Sequence, residues 1–325
     1  MRHSRRSLLS LAVGAATLPA VSQIASAQSD PARPVRIIIA TAAGGTTDIL
    51  ARLFGQWLSE RLGQQFLIDN RPGGNNNIGT EVVVRAPPDG HILLLANTVN
   101  AINATLYDRL NYNFIRDIAP AASLDREPNV VVLHPSVPAT TVPEFISFMK
   151  ANAGRVNIGS AGHGTSGHMA CELLKLMTGV SFVHVPYRGG ALALIDLLGG
   201  QIQAMFVTLP GAIQYIRSGK LRALAVTTTA RSEVFPVLPT VAEFVPGFEI
   251  SAWYGIGAPQ HTPKAIIDKL NKEINAALSD SNMRARLADL GASPLALSPA
   301  EFRKFISDDT EKWAKMIRAA NIKPE

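Results

Sequence analysis

The chain has 325 residues, of which 47% are hydrophobic and 17% charged, with 31 Lys and Arg against 25 Asp and Glu. The formal charge of +6 is a mild excess, and no basic run or aromatic-interleaved patch indicates nucleic-acid binding. The single cysteine, Cys171, excludes a disulfide within the chain, so this is not a small scaffold that depends on cross-links.

Residues 1–27 have the pattern of an export signal peptide. Basic residues precede the apolar stretch Leu8–Leu18, and the small residues Ala25–Ala27 form a cleavage site. Eleven residues are too few to span a bilayer, which needs about 20, so the stretch is not an anchor. The pair Arg5-Arg6 resembles a twin-arginine signal, and both that route and the Sec route stay open. Cleavage near Ala27 leaves 325 − 27 = 298 residues and removes three arginines, and we expect a periplasmic protein.

The first predicted unit is a strand, a glycine turn and a helix. Arg36–Ala40 is an apolar run typical of a buried parallel strand, and apolar residues recur at helical spacing from Ile49 to Leu58. Between them, Thr41–Asp48 is small and polar, with two glycines that can adopt positive φ. A helix that begins this way directs unpaired N–H groups toward an anion such as a carboxylate. A plain connection with Thr46 or Thr47 as the N-cap is the alternative.

Strands and helices then alternate, and the alternation restarts partway along the chain. The predicted strands are Gln65–Ile68, His91–Ala96, Ala119–Leu133, Val156–Gly159, Phe182–Val185, Gln203–Val207, Leu221–Thr227 and Glu249–Ala258. The predicted helices are Ile78–Val84, Val142–Ala151, His168–Thr178, Ala191–Leu198, Pro210–Ser218 and three C-terminal helices, the first opening at Thr262-Pro263 and the last with a capping box at Ser298–Glu301.

This alternation predicts two parallel α/β lobes. Lobe 1 comprises residues 28–129 and 252–325, and lobe 2, residues 130–251, is inserted into it. Two crossings between the lobes form a hinge and a cleft, and the polar segment Asn97–Asn103 lies where open sheets place their ligand crevice. No strand is expected after the second crossing.

The glycines of Gly162–Gly167 match the spacing of a dinucleotide fingerprint after a strand and before a helix. The expected acidic residue about 20 positions later is replaced by His184–Arg188, and the first glycine lies beyond the end of the strand. A second anion-binding turn fits these residues better, although a dinucleotide-dependent enzyme is an alternative. No cofactor is predicted.

The same region suggests two further chemistries. Ser160 or Ser166 beside His163 or His168 would suit a serine hydrolase, but the elbow G-x-S-x-G is absent. These histidines, with His184, lack a metal-binding spacing and an acidic third partner, and we predict that they cap a helix start rather than bind a metal.

Two polar features accompany the first turn. Asp48 stabilises the positive end of the helix dipole, and it could also pair with an ammonium group of a ligand. Asn75, Asn76 and Asn77 could donate side-chain amides into the same crevice, although three asparagines also form an ordinary exposed turn.

An ordered series of motifs covers the mature chain. They are Ala42–Arg52, Asp69–Gly73, Pro88–Gly90, Ala101–Asn103 with Leu106-Tyr107, Ser160–Thr165 with His168, His184–Gly189, Asp196–Gln201, Gly219–Val226, Leu238–Glu243 and Ala258-Pro259. Together they resemble the periplasmic solute-binding proteins of the tripartite tricarboxylate transporter family, the Bordetella uptake gene (Bug) group. The resemblance implies a type II-like, two-lobed clam-shell that binds a small carboxylate between its lobes and delivers it to a permease of one large and one small subunit.

The resemblance also assigns a ligand site. The first-lobe loop falls on Thr41–Asp48 beside Asn75–Asn77, the second-lobe loop on Ser160–Thr165, and Val207-Thr208 line the far side. The predicted ligand-binding residues are Thr41, Gly44, Gly45, Thr46, Thr47, Asp48, Asn75, Asn76, Asn77, Ser160, Gly162, Gly164, Thr165, His168 and Thr208. The family usually has Pro and an aromatic residue where this chain has Ala40-Thr41, and often Asp at Val207, which implies a wider or more polar pocket.

We therefore expect a monomeric, non-enzymatic binding protein for a di- or tricarboxylate, an amino acid or an aromatic acid. The alternatives are an enzyme that uses the Gly162–His168 region and a carboxylate sensor without a transport role.

Overall fold

The computed structural model describes residues 33–324 of the chain. Within this range it contains ten strands and eleven α-helices in an alternating order, so the protein is of the mixed α/β class. The predicted export signal, residues 1–27, lies outside the described residues. None of the helices between residues 33 and 324 is both long enough and apolar enough to cross a membrane.

The first sheet is built mainly from the N-terminal strands. Strand β1, Val35–Ile39, lies between β2, Phe66–Asn70, and β3, Ile92–Asn97, and all three are parallel. The late strand β9, Ser251–Pro259, and the first part of β4, Ile118–Leu133, complete the sheet with antiparallel pairing. The order is therefore β2-β1-β3-β9-β4. The helices of this part are α1, Thr46–Leu62; α2, Asn77–Val84; α3, Thr98–Leu106; and α4, Phe114–Asp117.

The second sheet repeats this arrangement. Strand β5, Asn157–Ser160, lies between β6, Val183–Pro186, and β7, Ala204–Thr208, and these three are parallel. The second part of β4 pairs antiparallel with β7 and with β8, Arg222–Val226, which gives the order β6-β5-β7-β4-β8. The helices of this part are α5, Val142–Ala151; α6, Ser166–Thr178; α7, Gly190–Leu198; and α8, Leu209–Arg217.

Strand β4 belongs to both sheets. Its residues as far as Pro128 pair with β9, and its residues from Asn129 onward pair with β7. After β8 the chain returns to the first sheet as β9, so two strands link the sheets, in agreement with the predicted crossovers. In each sheet the strand that arrives from the other one is inserted between the third and fourth strands, and the type II-like, two-lobed fold class is confirmed.

Three helices follow β9: α9, Lys264–Ser279; α10, Ser281–Leu290; and α11, Pro299–Ala319. The capping box of α11 is confirmed, because the Ser298 hydroxyl accepts from the Glu301 N–H and the Glu301 carboxylate accepts from the Ser298 N–H. The expectation of no further strand is wrong, since the two-residue β10, Ser293–Pro294, pairs with β4.

Two local predictions are also corrected. The segment after β3, expected to be merely polar, forms the helix α3, because the Asn97 side chain accepts from the Val99 N–H while the Asn100 side chain accepts from the Asn97 N–H. Helix α1 has Gly45 rather than a threonine as its N-cap, with no side-chain cap. Both threonines are therefore the first residues of the helix.

Candidate functional site

A cavity of about 70 Å³ lies between the two sheets, at the C-terminal ends of β1, β3, β5 and β7, with room for several water molecules or part of a small ligand. It is lined by Thr41, Ala42, Gly45, Thr46, Thr47, Asn97, Thr98, Val99, Asn129, Ala161, Thr165, Ser166, Gly167, Gly190, Leu194, Phe206, Val207, Thr208, Gly211, Ala252 and Tyr254. None of these lining residues, all within the described range, is an Asp, Glu, Lys, Arg or His.

Five helices point their N-termini at this cavity. Helices α1, α3, α6, α7 and α8 each place a residue of their first turn on its wall. The first N–H groups of a helix have no acceptor within it, and the helix dipole makes that end partially positive. The cavity is therefore electropositive without a cationic side chain, which suits an anion.

The first turn, Thr41–Thr47, is held by Asp48. The Asp48 carboxylate accepts from the Gly44 N–H at 3.1 Å and from the Arg52 guanidinium at 2.9 and 3.0 Å. Burial alone would raise the pKa of Asp48, but the hydrogen bonds from Arg52, Gly44 and Asn70 outweigh it, and the pKa is lowered. Asp48 does not line the cavity, so it stabilises the turn from behind.

The second turn, Ala161–Thr165, is also held from behind. The Ser160 hydroxyl accepts from the Gly162 N–H at 3.1 Å and contacts the His184 Nε2 at 2.7 Å. The Gly164 N–H donates to the His168 Nδ1 at 3.1 Å. The N–H groups of Gly162 and Gly164 are therefore occupied, and the donors at this end of the cavity are those of the first residues of α6.

Three histidines are packed together behind the second turn. The rings of His168 and His184 are stacked with centroids 4.4 Å apart, and His163 lies edge-on to both. One nitrogen from each of the three rings lies within 4.8 Å of the other two, as in a metal site. However, because His168 Nδ1 accepts from Gly164, its proton is on Nε2, and that nitrogen has no lone pair for a metal.

Burial keeps these two stacked rings neutral. It is the largest influence on both, and together with the repulsion that a protonated ring would feel from the neighbouring histidines and Lys175 it lowers the pKa of His168 to about 2 and of His184 to about 3. Neutral rings can accept hydrogen bonds, so they suit the structural role that the sequence predicted for them.

The predicted site residues divide into three groups. Those that line the cavity are Thr41, Gly45, Thr46, Thr47, Thr165 and Thr208. Those that hold the two turns from behind are Gly44, Asp48, Ser160, Gly162, Gly164 and His168. The remaining three, Asn75, Asn76 and Asn77, end the loop before α2 and begin that helix.

The asparagine loop is held by hydrogen bonds within the protein. Asn76 Nδ2 donates to Asn97 Oδ1, and Asn77 Oδ1 accepts from Asn103 and Tyr112. Asn75 exchanges hydrogen bonds with Asn103, and its side chain lies against the second turn at Gly162 and Gly164. None of these three asparagines lines the cavity.

Sequence reasoning missed Asn129, the residue of β4 at which the chain enters the second sheet. Asn129 is fully buried and lines the cavity, and its Oδ1 accepts from the Ser166 hydroxyl at 3.1 Å. Its Nδ2 has no hydrogen-bond partner among the described residues. The position of Asn129 directly before the apolar run Val130–Leu133 was the only sign in the sequence of its role.

The two sheets meet at the cavity through a pair of threonines. Thr46, the first residue of α1, and Thr208, the last residue of β7, have their hydroxyl oxygens 2.7 Å apart. In the part of β4 that pairs with β9, the carboxyl groups of Asp125 and Glu127 are fully buried. Both therefore have raised pKa values, since burial disfavours the charged form.

Known proteins are similar to this chain in both sequence and fold. The model of the tripartite tricarboxylate transporter family receptor, TctC, matches residues 50–322. Protein BugT of Bordetella pertussis is 35% identical over 301 residues, which cover 92% of each chain. A UPF0065 protein of Agrobacterium vitis is 36% identical over 310 residues, which cover 94% of this chain and 89% of the relative.

Among solved structures, Rpa4515 of R. palustris with adipate has 35% identity and a TM-score of 0.89, over 91% of this chain and 99% of that one. MatC from Rhodopseudomonas palustris with bound malate has 31% identity and a TM-score of 0.84, over 88% and 99%. The periplasmic binding protein BugD has 32% identity and a TM-score of 0.87, over 90% and 99%.

Proposed function

Because the chain belongs to the tripartite tricarboxylate transporter receptor family of periplasmic binding proteins, we propose that it captures a small carboxylate between two lobes. We place lobe 1 at residues 28–129 and 252–325 and lobe 2 at residues 130–251, on either side of the shared strand β4. The captured solute is then delivered to a membrane permease of one large and one small subunit.

One observation carries this proposal: five helix N-termini surround a cavity without a charged lining residue. Each hydrogen bond to a charged group contributes roughly 1.5–3 kcal/mol. Two or three such bonds contribute about 3–9 kcal/mol in total, whereas a Kd of 1 μM corresponds to about 8.2 kcal/mol, so burial of the ligand must supply the rest and offset the entropy lost on binding. The relatives that hold adipate and malate support a dicarboxylate in particular.

The donors come from both sides of the cavity. On the first side they are the N–H groups of Thr46 and Thr47, and on the second those of Ser166 and Gly167. The unpartnered Nδ2 of buried Asn129 adds a donor from β4. A ligand that engages both sides holds the lobes together, which couples binding to closure.

The enzyme alternative has less support. Ser160 is fully buried behind the second turn, does not line the cavity, and has its hydroxyl hydrogen-bonded to Gly162 and His184. The family and the similar solved structures are substrate-binding proteins.

A thermal-shift screen of the mature protein tests the function. Adipate and malate lead the panel, with amino acids and aromatic acids added and a nucleotide as the negative control. A ligand at about 100 times its Kd should add roughly 2.7 kcal/mol of stability. The proposal fails if no carboxylate raises the Tm, or if only the nucleotide does.

A matched pair of variants tests the site. Asn129→Asp replaces the free Nδ2 donor by a negative charge inside the cavity and should weaken carboxylate binding at least tenfold. Asn282→Asp makes the same change at an exposed position in α10 and should leave binding unaltered. Equal affinities for the two variants would place the carboxylate elsewhere.

A further inference from the structure

The cavity wall holds two buried polar groups that have no hydrogen-bond partner among residues 33–324. They are the hydroxyl oxygen of Thr41 and the Nδ2 of Asn129, and both residues line the cavity. Other hydroxyls of the wall, such as those of Thr98 and Thr165, bond main-chain groups of the protein. A buried polar group without a partner is costly. A ligand that pairs both groups is therefore favoured over one that pairs only one.

The two groups lie at opposite ends of the cavity. Thr41 follows the end of β1, whereas Asn129 lies on β4 where that strand leaves the first sheet, whose order is β2-β1-β3-β9-β4. Three strand intervals of about 4.8 Å each therefore separate them, or about 14 Å along the sheet edge. The other sheet agrees, because a Cβ at Gly189 would lie 3.5 Å from the Ala42 Cβ. Gly189 is the N-cap of α7, which follows the edge strand β6, so Thr41 lies at the outer end of the cavity.

Both ends are held in place by hydrogen bonds that leave one side-chain donor free. The Asn129 N–H donates to the Thr227 hydroxyl at 2.9 Å, and the Asn129 Oδ1 accepts from the Ser166 hydroxyl, which leaves Nδ2 for a ligand. The Thr41 carbonyl accepts from Asn70 Nδ2 at 3.1 Å, which leaves the Thr41 hydroxyl. The free N–H groups at the start of α6 lie at the Asn129 end and those of α7 at the Thr41 end. Each end can therefore bind a carboxylate.

Apolar side chains line the wall between these ends. Val207 lies on β7 and Ala161 follows β5, and these two strands lie between β4 and β6 in the second sheet. Both residues line the cavity, and neither side chain can form a hydrogen bond. This part of the wall suits the methylene groups of a ligand.

We propose that the ligand is an unbranched six-carbon dicarboxylate of the adipate type, with one carboxylate bound at the Asn129 end and the other at the Thr41 end. This inference rests on the proposed function. An extended six-carbon diacid with a hydrogen bond at each end spans about 14 Å, and a four-carbon diacid spans about 2.5 Å less. The shorter diacid, like a monocarboxylate, leaves the Thr41 hydroxyl unpaired. Thr41 is thus the residue that selects the length of the ligand and its second charge.

Substitutions at Thr41 test this selection with adipate, succinate and hexanoate, measured by calorimetry at pH 7. Thr41→Val removes the hydroxyl without leaving a protein group unpaired, so it should fold with an undiminished Tm. The wild type should bind adipate at least tenfold more tightly than the other two acids. Thr41→Val should weaken adipate binding about tenfold and leave succinate and hexanoate nearly unchanged, whereas a purely structural role would weaken all three equally. Thr41→Ser keeps a hydroxyl and should recover most of the adipate affinity.

Two further variants complete the test. Asn129→Asp should weaken all three acids, because each places a carboxylate at that end. Thr310→Val is the matched control, since Thr310 is part-buried in α11, bonds the Ile306 carbonyl and does not line the cavity, and all three affinities should stay unchanged. Equal losses for the three acids in Thr41→Val, unchanged adipate binding in that variant, or a wild type that does not prefer adipate would each overturn the inference. If the wild type binds no carboxylate at all, the proposed function fails instead.

Discussion

The two turns that border the cavity have the same design and different chemistry. In each, a glycine N–H bonds the side chain four residues later: Gly44 bonds Asp48 in the first turn, and Gly164 bonds His168 in the second. Each turn is thereby fixed, and the next helix begins with its free N–H groups toward the cavity. The first turn is held by an anion and the second by a neutral ring.

The surroundings explain this difference. The Asp48 charge is balanced by Arg52, whose side chain is 57% exposed and reaches solvent. His168, by contrast, is 4% exposed and is stacked on a second neutral histidine, His184. A charge can support a turn beside an anion-binding cavity where a cation compensates it from outside. In a more enclosed turn, a neutral acceptor serves the same purpose.

The largest effect should come from the close packing at the start of α6, directly after the second turn. Gly167 is the second residue of α6, and a Cβ there would lie 2.3 Å from the main-chain oxygen of Phe206. Gly167→Ala should therefore destabilise the protein by about 3 kcal/mol in a denaturant titration. Gly45→Ala, at the start of α1, meets nothing closer than 3.9 Å and should cost less than about 1 kcal/mol. Equal losses would mean that the two helix starts are packed alike.

The next prediction uses pH to distinguish the turns. The folded pKa of His184, about 3, lies below the unfolded value of about 6.5, so between these values only the unfolded chain binds the proton. The stability that neutral His184 provides is therefore lost as the pH falls through this window, by about 2 kcal/mol from pH 7 to pH 5. The difference in free energy of unfolding between the wild type and His184→Gln should therefore be smaller at pH 5 than at pH 7 by that amount.

Asp48→Asn is the control at the first turn. The pKa of Asp48 is lowered, so its stabilising charge is complete above about pH 4 and is lost only below that. The difference in free energy of unfolding between Asp48→Asn and the wild type should therefore be the same at pH 7 and pH 5. Each gap is taken between a variant and the wild type, so the opposite contribution of the buried Asp125 and Glu127 cancels. A constant gap for His184→Gln would show that the pKa of His184 in the fold equals its unfolded value.

A third prediction concerns the contact between the second turn and the first half of the chain. A Cβ at Gly164 would lie 2.9 Å from Asn75 Nδ2 and 3.0 Å from Asn103 Oδ1. Gly164→Ala should therefore hold the lobes apart and weaken carboxylate binding about tenfold, as calorimetry can measure. Gly154→Ala is the control. Gly154 also has a positive φ, but a Cβ there would have no atom within 4 Å. This variant should therefore lose only the stability that backbone strain costs, about 1 kcal/mol. If both variants bind normally, the Asn75 contact does not govern closure.

The regular elements were predictable because their apolar periodicity is local. The helix expected at Val142–Ala151 has those bounds in the structure, and the strand expected at Ala119–Leu133 begins only one residue earlier. The capping box at Ser298 was equally local. The helix α3 was missed because its start depends on asparagine caps in a segment whose composition suggests a loop.

The cavity wall was only partly predictable, because it depends on contacts between distant parts of the chain. Thr46 was predicted from the turn before the first helix and Thr208 from the family resemblance, and both line the cavity. Asn129 was not predicted, since only the pairing of β4 with β7 places it there. Gly164 was expected to bind the ligand, but its N–H donates to the His168 side chain instead.

The smallest expected effect concerns the charge balance of the first turn. Arg52→Gln removes the cation that compensates Asp48, and Arg52→Lys keeps the charge but loses the two-point contact with both carboxylate oxygens. Because Arg52 is more than half exposed, Arg52→Gln should lose under about 1 kcal/mol of stability at low salt, and Arg52→Lys less. Both losses should diminish as salt is added, because the pair is open to solvent on one side. A loss of several kcal/mol that salt does not reduce would mean that Asp48 depends on Arg52 as a buried ion pair, and the first turn would then be the more fragile of the two.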